Sequence, residues 1–107
     1  MAARRSLLTT ALERFVTIAR RYADVRAVYV FGSYARGDVR PHSDLDVLVV
    51  RDTHVRRIDR DRDLRLAFDV PIGIDLIVVT PDEFERGLPT TGFGRTILSE
   101  ATRVYAR

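Results

Sequence analysis

The spacing of apolar residues changes several times along this chain. From Ser6 to Tyr22, Leu8, Leu12, Phe15, Ile18, Ala19 and Tyr22 recur at helical intervals, which predicts an amphipathic helix with one buried stripe. Residues 27–31, AVYVF, are β-branched and aromatic and predict a strand. The stretch GSYARGDVRPHS then brings two glycines and a proline, so a turn and loop are expected, with a short helical turn after Gly32. Residues 44–50, DLDVLVV, and 74–79, IDLIVV, predict a second and a third strand. Between them, residues 54–68 place opposite charges at helical spacing: Arg57 with Asp61, Asp61 with Arg65, Arg56 with Asp59, Arg60 with Asp63. That pattern predicts a solvent-facing helix, although Arg62 breaks its apolar seam between Ile58 and Leu66. TPDE reads as a helix start, with Thr80 as cap, Pro81 in the first turn and Glu83 closing a capping box. A last helix is expected around Arg95–Ala101, with RVYAR as a short final strand or tail.

The order helix, strand, strand, helix, strand, helix indicates an α/β (α+β) domain, a small mixed β-sheet of three to four strands with helices packed on it. The 107 residues suit a single domain, 1–107, with one core. No repeat, linker or low-complexity segment interrupts it. A sheet this thin is expected to lean on a partner or on another copy of itself.

Composition narrows the class. Hydrophobic residues make up 46% and charged residues 31%, which is ordinary for a soluble globular chain. The apolar runs are strand-sized, so no membrane span is expected. The N-terminal MAARRSLLTTALERF has no continuous apolar stretch and does not read as a signal peptide. The absence of cysteine excludes disulfides and thiolate metal sites; a cytoplasmic location is the expectation by elimination. The formal charge is +3, and all 18 basic residues are arginine. Arginine keeps its charge to very high pH, so the pI of 9.9 overstates the basicity at neutrality. The arginines are scattered or interleaved with aspartates, and nucleic-acid footprints are usually clustered; a nucleic-acid partner is not expected.

Two aspartates inside DLDVLVV need an explanation. Residues two apart on a strand share a face, so Asp44 and Asp46 are expected to point the same way, away from Leu45, Val47 and Val49. Asp75 breaks the run GIDLIVV. If the two strands are neighbours, three carboxylates converge on one small area. Like charges raise one another's pKa, and apolar surroundings disfavour ionisation; the simplest compensation is a bound cation. Oxygen ligands, with no cysteine and no paired histidine, suit Mg²⁺ or Mn²⁺ rather than zinc. The plainer reading places these aspartates at strand ends facing solvent. It serves Asp44, just after the loop, better than Asp46 and Asp75, each inside an apolar run.

GSYARGD has two glycines spaced as in a phosphate loop, but Asp38 and Val39 stand where a P-loop needs Lys and Ser or Thr. That reading fails. Gly32 still allows the backbone close to a ligand, Ser33 offers a hydroxyl and an amide, and a helix beginning here would present amides to phosphate. Arg36 is a candidate phosphate contact or a surface partner of Asp38. Ser43 is a candidate nucleotide contact, although a serine before a strand more often caps or turns. His42 and His54 have no second histidine at ligand spacing and read as exposed. Tyr22, Tyr29 and Tyr105 read as packing residues, and the Arg/Asp run as a solvated face.

Gly-Ser, ten residues, Asp-x-Asp and a carboxylate on a later strand together resemble the nucleotidyltransferase superfamily related to DNA polymerase β. The pattern is most similar to the minimal nucleotidyltransferase (MNT) family, whose members look like GSxARGxxxxxSDxDLxV. Here the stretch is GSYARGDVRPHSDLDVLVV, Gly32 to Val50, and departures such as His42 touch no defining position. The resemblance, which runs from the first helix through IDLIVV, implies the nucleotidyltransferase fold and ATP as substrate. It implies Asp44 and Asp46 as ligands of the metal that holds the triphosphate. Asp75 would be a further metal ligand or the base for the acceptor hydroxyl, and Gly32 and Ser33 would hold the β- and γ-phosphates. The reaction would be in-line attack at the α-phosphorus with two metal ions and pyrophosphate leaving. Larger relatives carry an extra acceptor domain for which 107 residues leave no room, so the acceptor is expected from another protein or from an oligomer surface. Chains of this size resemble the antitoxin of HEPN/MNT toxin–antitoxin modules, which transfers AMP from ATP to a tyrosine of a HEPN ribonuclease. The alternatives are an antitoxin that acts by contact alone, and transfer to a small-molecule hydroxyl such as that of an aminoglycoside.

Overall fold

A computed structural model describes residues 2–107. The N-terminal apolar stripe winds into α1, Ala2–Ala19, and buries Leu8, Ala11, Leu12, Phe15, Ile18 and Ala19. The helix starts and stops earlier than its apolar pattern predicts; Tyr22 already belongs to the turn after it. Strand β1, Val25–Phe31, runs directly into the single-turn helix α2, Gly32–Arg36, which Gly37 ends in the left-handed region at φ 76°. Strand β2 is Leu45–Arg51, α3 is Arg62–Ala67 and β3 is Ile74–Val79. The chain closes with α4, Gly92–Glu100, and β4, Thr102–Ala106. The sheet order is β3-β2-β1-β4. β1 is antiparallel to β2 and β4, and β2 is parallel to β3. This is the expected small mixed sheet with helices, with RVYAR supplying the fourth strand.

β2 is buried on both faces, which is why its sequence is nearly continuous in apolar residues. Leu45, Val47 and Val49 join Phe15 and Ile18 of α1 in one core; Leu48 and Val50 join Phe31, Val79 and Ile97 in another. A parallel neighbour requires a crossover, and residues 52–73 provide it. The long helix expected there is absent. A 3₁₀ turn, Arg57–Asp59, precedes the short α3. The broken seam explains the difference: Ile58 is 77% exposed and has no apolar stripe to join. Asp61–Arg65 and Arg56–Asp59 do pair locally. Arg57 and Arg60 instead reach Glu83, at 2.9 and 2.7 Å, and Asp63 reaches Arg51 at 2.7 Å. The charged run is therefore tertiary glue as much as a solvated face.

The capping box forms as expected. The Thr80 N–H donates to Glu83 Oε1 at 2.9 Å, and the Glu83 N–H to Thr80 Oγ1 at 3.2 Å. The chain beyond it is not a regular helix but a wide π turn, Glu83–Gly87, and a 3₁₀ turn, Leu88–Thr90. α4 starts before Arg95 because Thr91 Oγ1 caps it, accepting the Gly94 N–H at 2.9 Å. Among the described residues no helix is long and apolar enough to cross a membrane.

Arg51, 7% exposed, clamps the end of β2. It makes paired hydrogen bonds to Asp24 (3.0 Å each) and to Asp63 (2.7 and 3.1 Å), and another to the Arg60 carbonyl. Its guanidinium lies 5.2 Å from the Tyr22 ring centroid. Arg51→Met should cost about 2–3 kcal/mol in urea unfolding, below the full cost of a stranded buried charge because both aspartates reach water. Arg51→Lys should recover little of it, because one ammonium cannot serve two carboxylates as a planar fork does. Glu83 gives a pH signature. Burial alone would raise its pKa, but the Thr80 N–H, Arg57 and Arg60 overcome that and lower it to about 2. Its contribution is present above the unfolded value near 4.5 and is lost as pH falls towards 2. Glu83→Gln should destabilise the protein at pH 7 by about 1–2 kcal/mol, discounted for partial exposure. Acid titration of urea midpoints should show a shallower fall between pH 4.5 and 2 for that variant.

Candidate active site

Parallel register sets Asp46 of β2 directly against Asp75 of β3, and the antiparallel register on the other side sets Phe31 against Asp46. The two carboxylates stand on the same sheet face as Leu48, Val50 and Ile77. Asp46 is half-buried while Asp75, on the edge strand, is exposed, so Asp75 does not sit within the apolar interior as its sequence neighbours suggest. Burial raises the pKa of Asp46 first, followed by its hydrogen bond to Asp75 and the charges of Asp75 and Asp44; Arg36 opposes them, and the value reaches about 6. Neither Asp46 nor Asp75 enters an ion pair among the described residues.

Asp44 lies just ahead of β2, which begins at Leu45, and its carboxylate stands where a Cβ of Gly73, two residues before Asp75, would be. Its carboxylate is exposed and lies 3.9 Å from Arg4 of α1, whose Nε donates to the Ser43 carbonyl at 2.9 Å. Two glycines make room for the aspartates. A Cβ at Gly32 would overlap the Asp46 carboxylate, and one at Gly73 would overlap that of Asp44. Gly32 also has φ 74°, where L side chains are strained. Among the described residues no three His, Cys, Asp or Glu side chains form a ready-made ligand set. The structure joins Asp46 with Asp75 and leaves Asp44 close enough to act on Asp46 through its charge.

A cavity of about 640 Å³ opens over the pair. Gly32, Ser33 and Arg36 line it together with Asp46 and Asp75, so five of the seven residues expected at the site meet there. Asp44 stands outside its lining. Ser43 does too: its hydroxyl accepts the Arg40 N–H at 2.7 Å and shapes the loop before β2. Tyr34 points away, its hydroxyl 2.7 Å from Thr9 and its ring under Arg5. His42 and His54 are exposed.

The sequence pattern did not assign Arg65, Phe93, Thr96 and Glu100 to the site, yet they also line the cavity. Glu100 accepts the Gly32 N–H at 3.3 Å and pairs with Arg36 at 3.0 Å, while Asp38, the expected partner of Arg36, pairs with Arg40. Nothing local marks these residues, because α3 and α4 reach the cavity only through the fold. Gly73 carried a signal, a glycine directly before a strand whose second residue is a carboxylate.

A family model described as "Nucleotidyltransferase domain" matches residues 12–104. A Methanocaldococcus jannaschii protein, provisionally named a protein adenylyltransferase, is 31% identical over 81 residues, covering 76% of this chain and 79% of its own length. A bifunctional uridylyltransferase/uridylyl-removing enzyme of Burkholderia thailandensis is 33% identical over 81 residues, 73% of this chain, but the match spans only 9% of that enzyme. Among solved structures, a provisionally named nucleotidyltransferase from Sulfolobus solfataricus superposes with a TM-score of 0.66 at 26% identity, covering 95% of this chain and 82% of that one. A toxin–antitoxin complex with AMP-PNP superposes with a TM-score of 0.62 at 19% identity, covering 89% and 73%, and shares the fold.

The raised Asp46 pKa carries a signed prediction. The folded state holds this proton more tightly than the unfolded state, so ionisation costs stability as pH rises from about 4 to 6. Asp46→Asn should therefore be more stable than the parent at pH 7, by about 1–2 kcal/mol after allowance for solvent screening. The difference in urea midpoint should vanish at about pH 4.

Proposed function

The chain belongs to the nucleotidyltransferase domain family, and we propose that it is a Mg²⁺-dependent adenylyltransferase and antitoxin. In this reading it transfers AMP from ATP to a hydroxyl, that of a tyrosine, on a HEPN-type ribonuclease toxin in the cytoplasm. The observation that carries the reading is one cavity holding the Asp46–Asp75 pair beside Gly32, Ser33 and Arg36. Two adjacent carboxylates without a cationic partner among the described residues, approached by a third, are an all-oxygen donor set. Mg²⁺ commonly sits on one or two carboxylates and completes its shell with phosphate and water, so the residues fit it, and Mn²⁺ as well. Bound at Asp46 and Asp75, with Asp44 at the margin, the metal would neutralise charge on the transferring phosphate.

The remaining roles fall to the chain. Gly32 lets the backbone approach the β- and γ-phosphates, and the Ser33 hydroxyl and Arg36 guanidinium donate to their oxygens. Asp75, the more exposed carboxylate, takes the proton of the acceptor hydroxyl. The acceptor oxygen then bonds to the α-phosphorus as the bond to pyrophosphate breaks.

A protein acceptor has separate support. Ile58 and Phe93 are 77% and 67% exposed and line a neighbouring cavity of about 590 Å³, which shares Leu76, Ile77, Phe93 and Ile97 with the first. Exposed apolar side chains beside a cavity suit contact with another protein. The relative named for protein adenylylation and the toxin–antitoxin fold neighbour point the same way.

The test is intact-mass spectrometry of a HEPN partner after incubation with this protein, ATP and Mg²⁺, beside an Asp44→Asn, Asp46→Asn double variant. Wild type should add one or more AMP units to the partner, and the double variant none. A partner inhibited equally by both proteins, with no mass gain, would sink the enzymatic reading and leave inhibition by contact.

A further inference from the structure

Glu100 occupies an unusual place for a carboxylate. It is the last residue of α4, and it lines the same cavity as Asp46 and Asp75, which adds a third negative charge to an acidic site. Its Oε1 accepts the backbone N–H of Gly32 at 3.3 Å, and its Oε2 pairs with Arg36 Nη1 at 3.0 Å. One side chain thus uses two donors of the glycine-serine turn at once. It reaches them across 68 residues of sequence, so the contact is set by tertiary packing and not by local turn geometry.

A backbone amide and a guanidinium facing one point together suit the oxygens of a phosphate group. We propose that Glu100 is an internal stand-in for phosphate. In the nucleotide-free protein it holds the Gly32–Arg36 turn in its binding shape, and it yields both donors to an incoming triphosphate. The inference rests on the nucleotide-binding reading of this cavity. The Arg36 side chain is 47% exposed and the Glu100 side chain 21%. A pair this open to water contributes little net stability, and a flexible glutamate at a helix end can swing aside without disturbing the core. A triphosphate brings several charges to the same donors and wins the exchange. It must also overcome the repulsion of the carboxylate it displaces, so Glu100 sets a threshold on affinity. Competing anions with a single charge would be turned away.

The test is calorimetric titration of the full chain with inorganic tripolyphosphate and Mg²⁺, for wild type and Glu100→Gln, each also in an Arg36→Ala background. Glu100→Gln should bind tripolyphosphate roughly 5- to 10-fold tighter while its thermal midpoint without ligand falls slightly. A purely structural contact would lower both affinity and midpoint. With Arg36→Ala the gain should shrink to about twofold or less, because one of the contested donors is gone. Unchanged or weaker binding by a folded Glu100→Gln protein overturns the inference while the nucleotide reading stands. A full gain that persists without Arg36 overturns it as well, because general charge repulsion would then be the cause. Failure of both wild type and Glu100→Gln to bind removes the nucleotide reading and this inference with it.

Discussion

The parallel pairing of β2 with β3 is the constraint on which the site depends. It places Asp46 against Asp75, an arrangement that is unfavourable on electrostatic grounds and that no local preference would choose. Its compensation lies further along the same two strands, where Val47, Leu48, Val49 and Val50 pair with Leu76, Ile77, Val78 and Val79. A slip of one residue would turn every one of these side chains to the wrong face. The hydrophobic effect therefore sets the register, and the register sets the carboxylates. Raising the Asp46 pKa to about 6 costs much less than exposing that apolar ladder, so the packing wins.

β2 is chemically divided along its length. Near its start it carries Asp46, one half of the acidic pair, and its last residue, Arg51, is sunk among Asp24, Asp63 and the Tyr22 ring. At the acidic end charge is left uncompensated, which suits a place where a ligand must supply the counter-charge. At the basic end the guanidinium is directed to oxygens on several sides, which suits an anchor. The same division appears at Glu83, whose two arginines and capping contact tie the crossover to the turn before α4. The rigid polar clusters lie away from the cavity and hold the elements that build it.

Much of this was legible in the sequence, for physical reasons that differ by residue. Asp46 and Asp75 stood out because a charge inside a strand-length apolar run demands an explanation. Gly32 and Ser33 stood out by their place at the end of a strand, and Thr80 with Glu83 because a capping box is local. What could not be read was the destination of charges with several available partners. Arg57, Arg60 and Asp63 each had a local partner at helical spacing, yet each bonds across the fold. Arg36 had Asp38 two residues away and chose Glu100. Asp44, exposed just ahead of β2, lies near Arg4 and Gly73, neighbours that its place in DLDVLVV did not announce. Local periodicity reports burial well, and it is nearly silent on which of several arginines reaches which carboxylate.

The reach of the Gly32–Glu100 contact has a consequence for how each molecule comes into being. The turn, the acidic pair and most of the sheet lie in residues 25–79 and leave the ribosome before α4 and β4. Only α4 brings Phe93, Ile97 and Glu100 over the cavity. Contacts this distant in sequence form late, because the chain must lose more freedom before they return anything. Until α4 is made, a nascent chain thus has nothing to cover the Gly32 and Arg36 donors or the apolar face of β1 and β2. The wall of the cavity is synthesised after its floor.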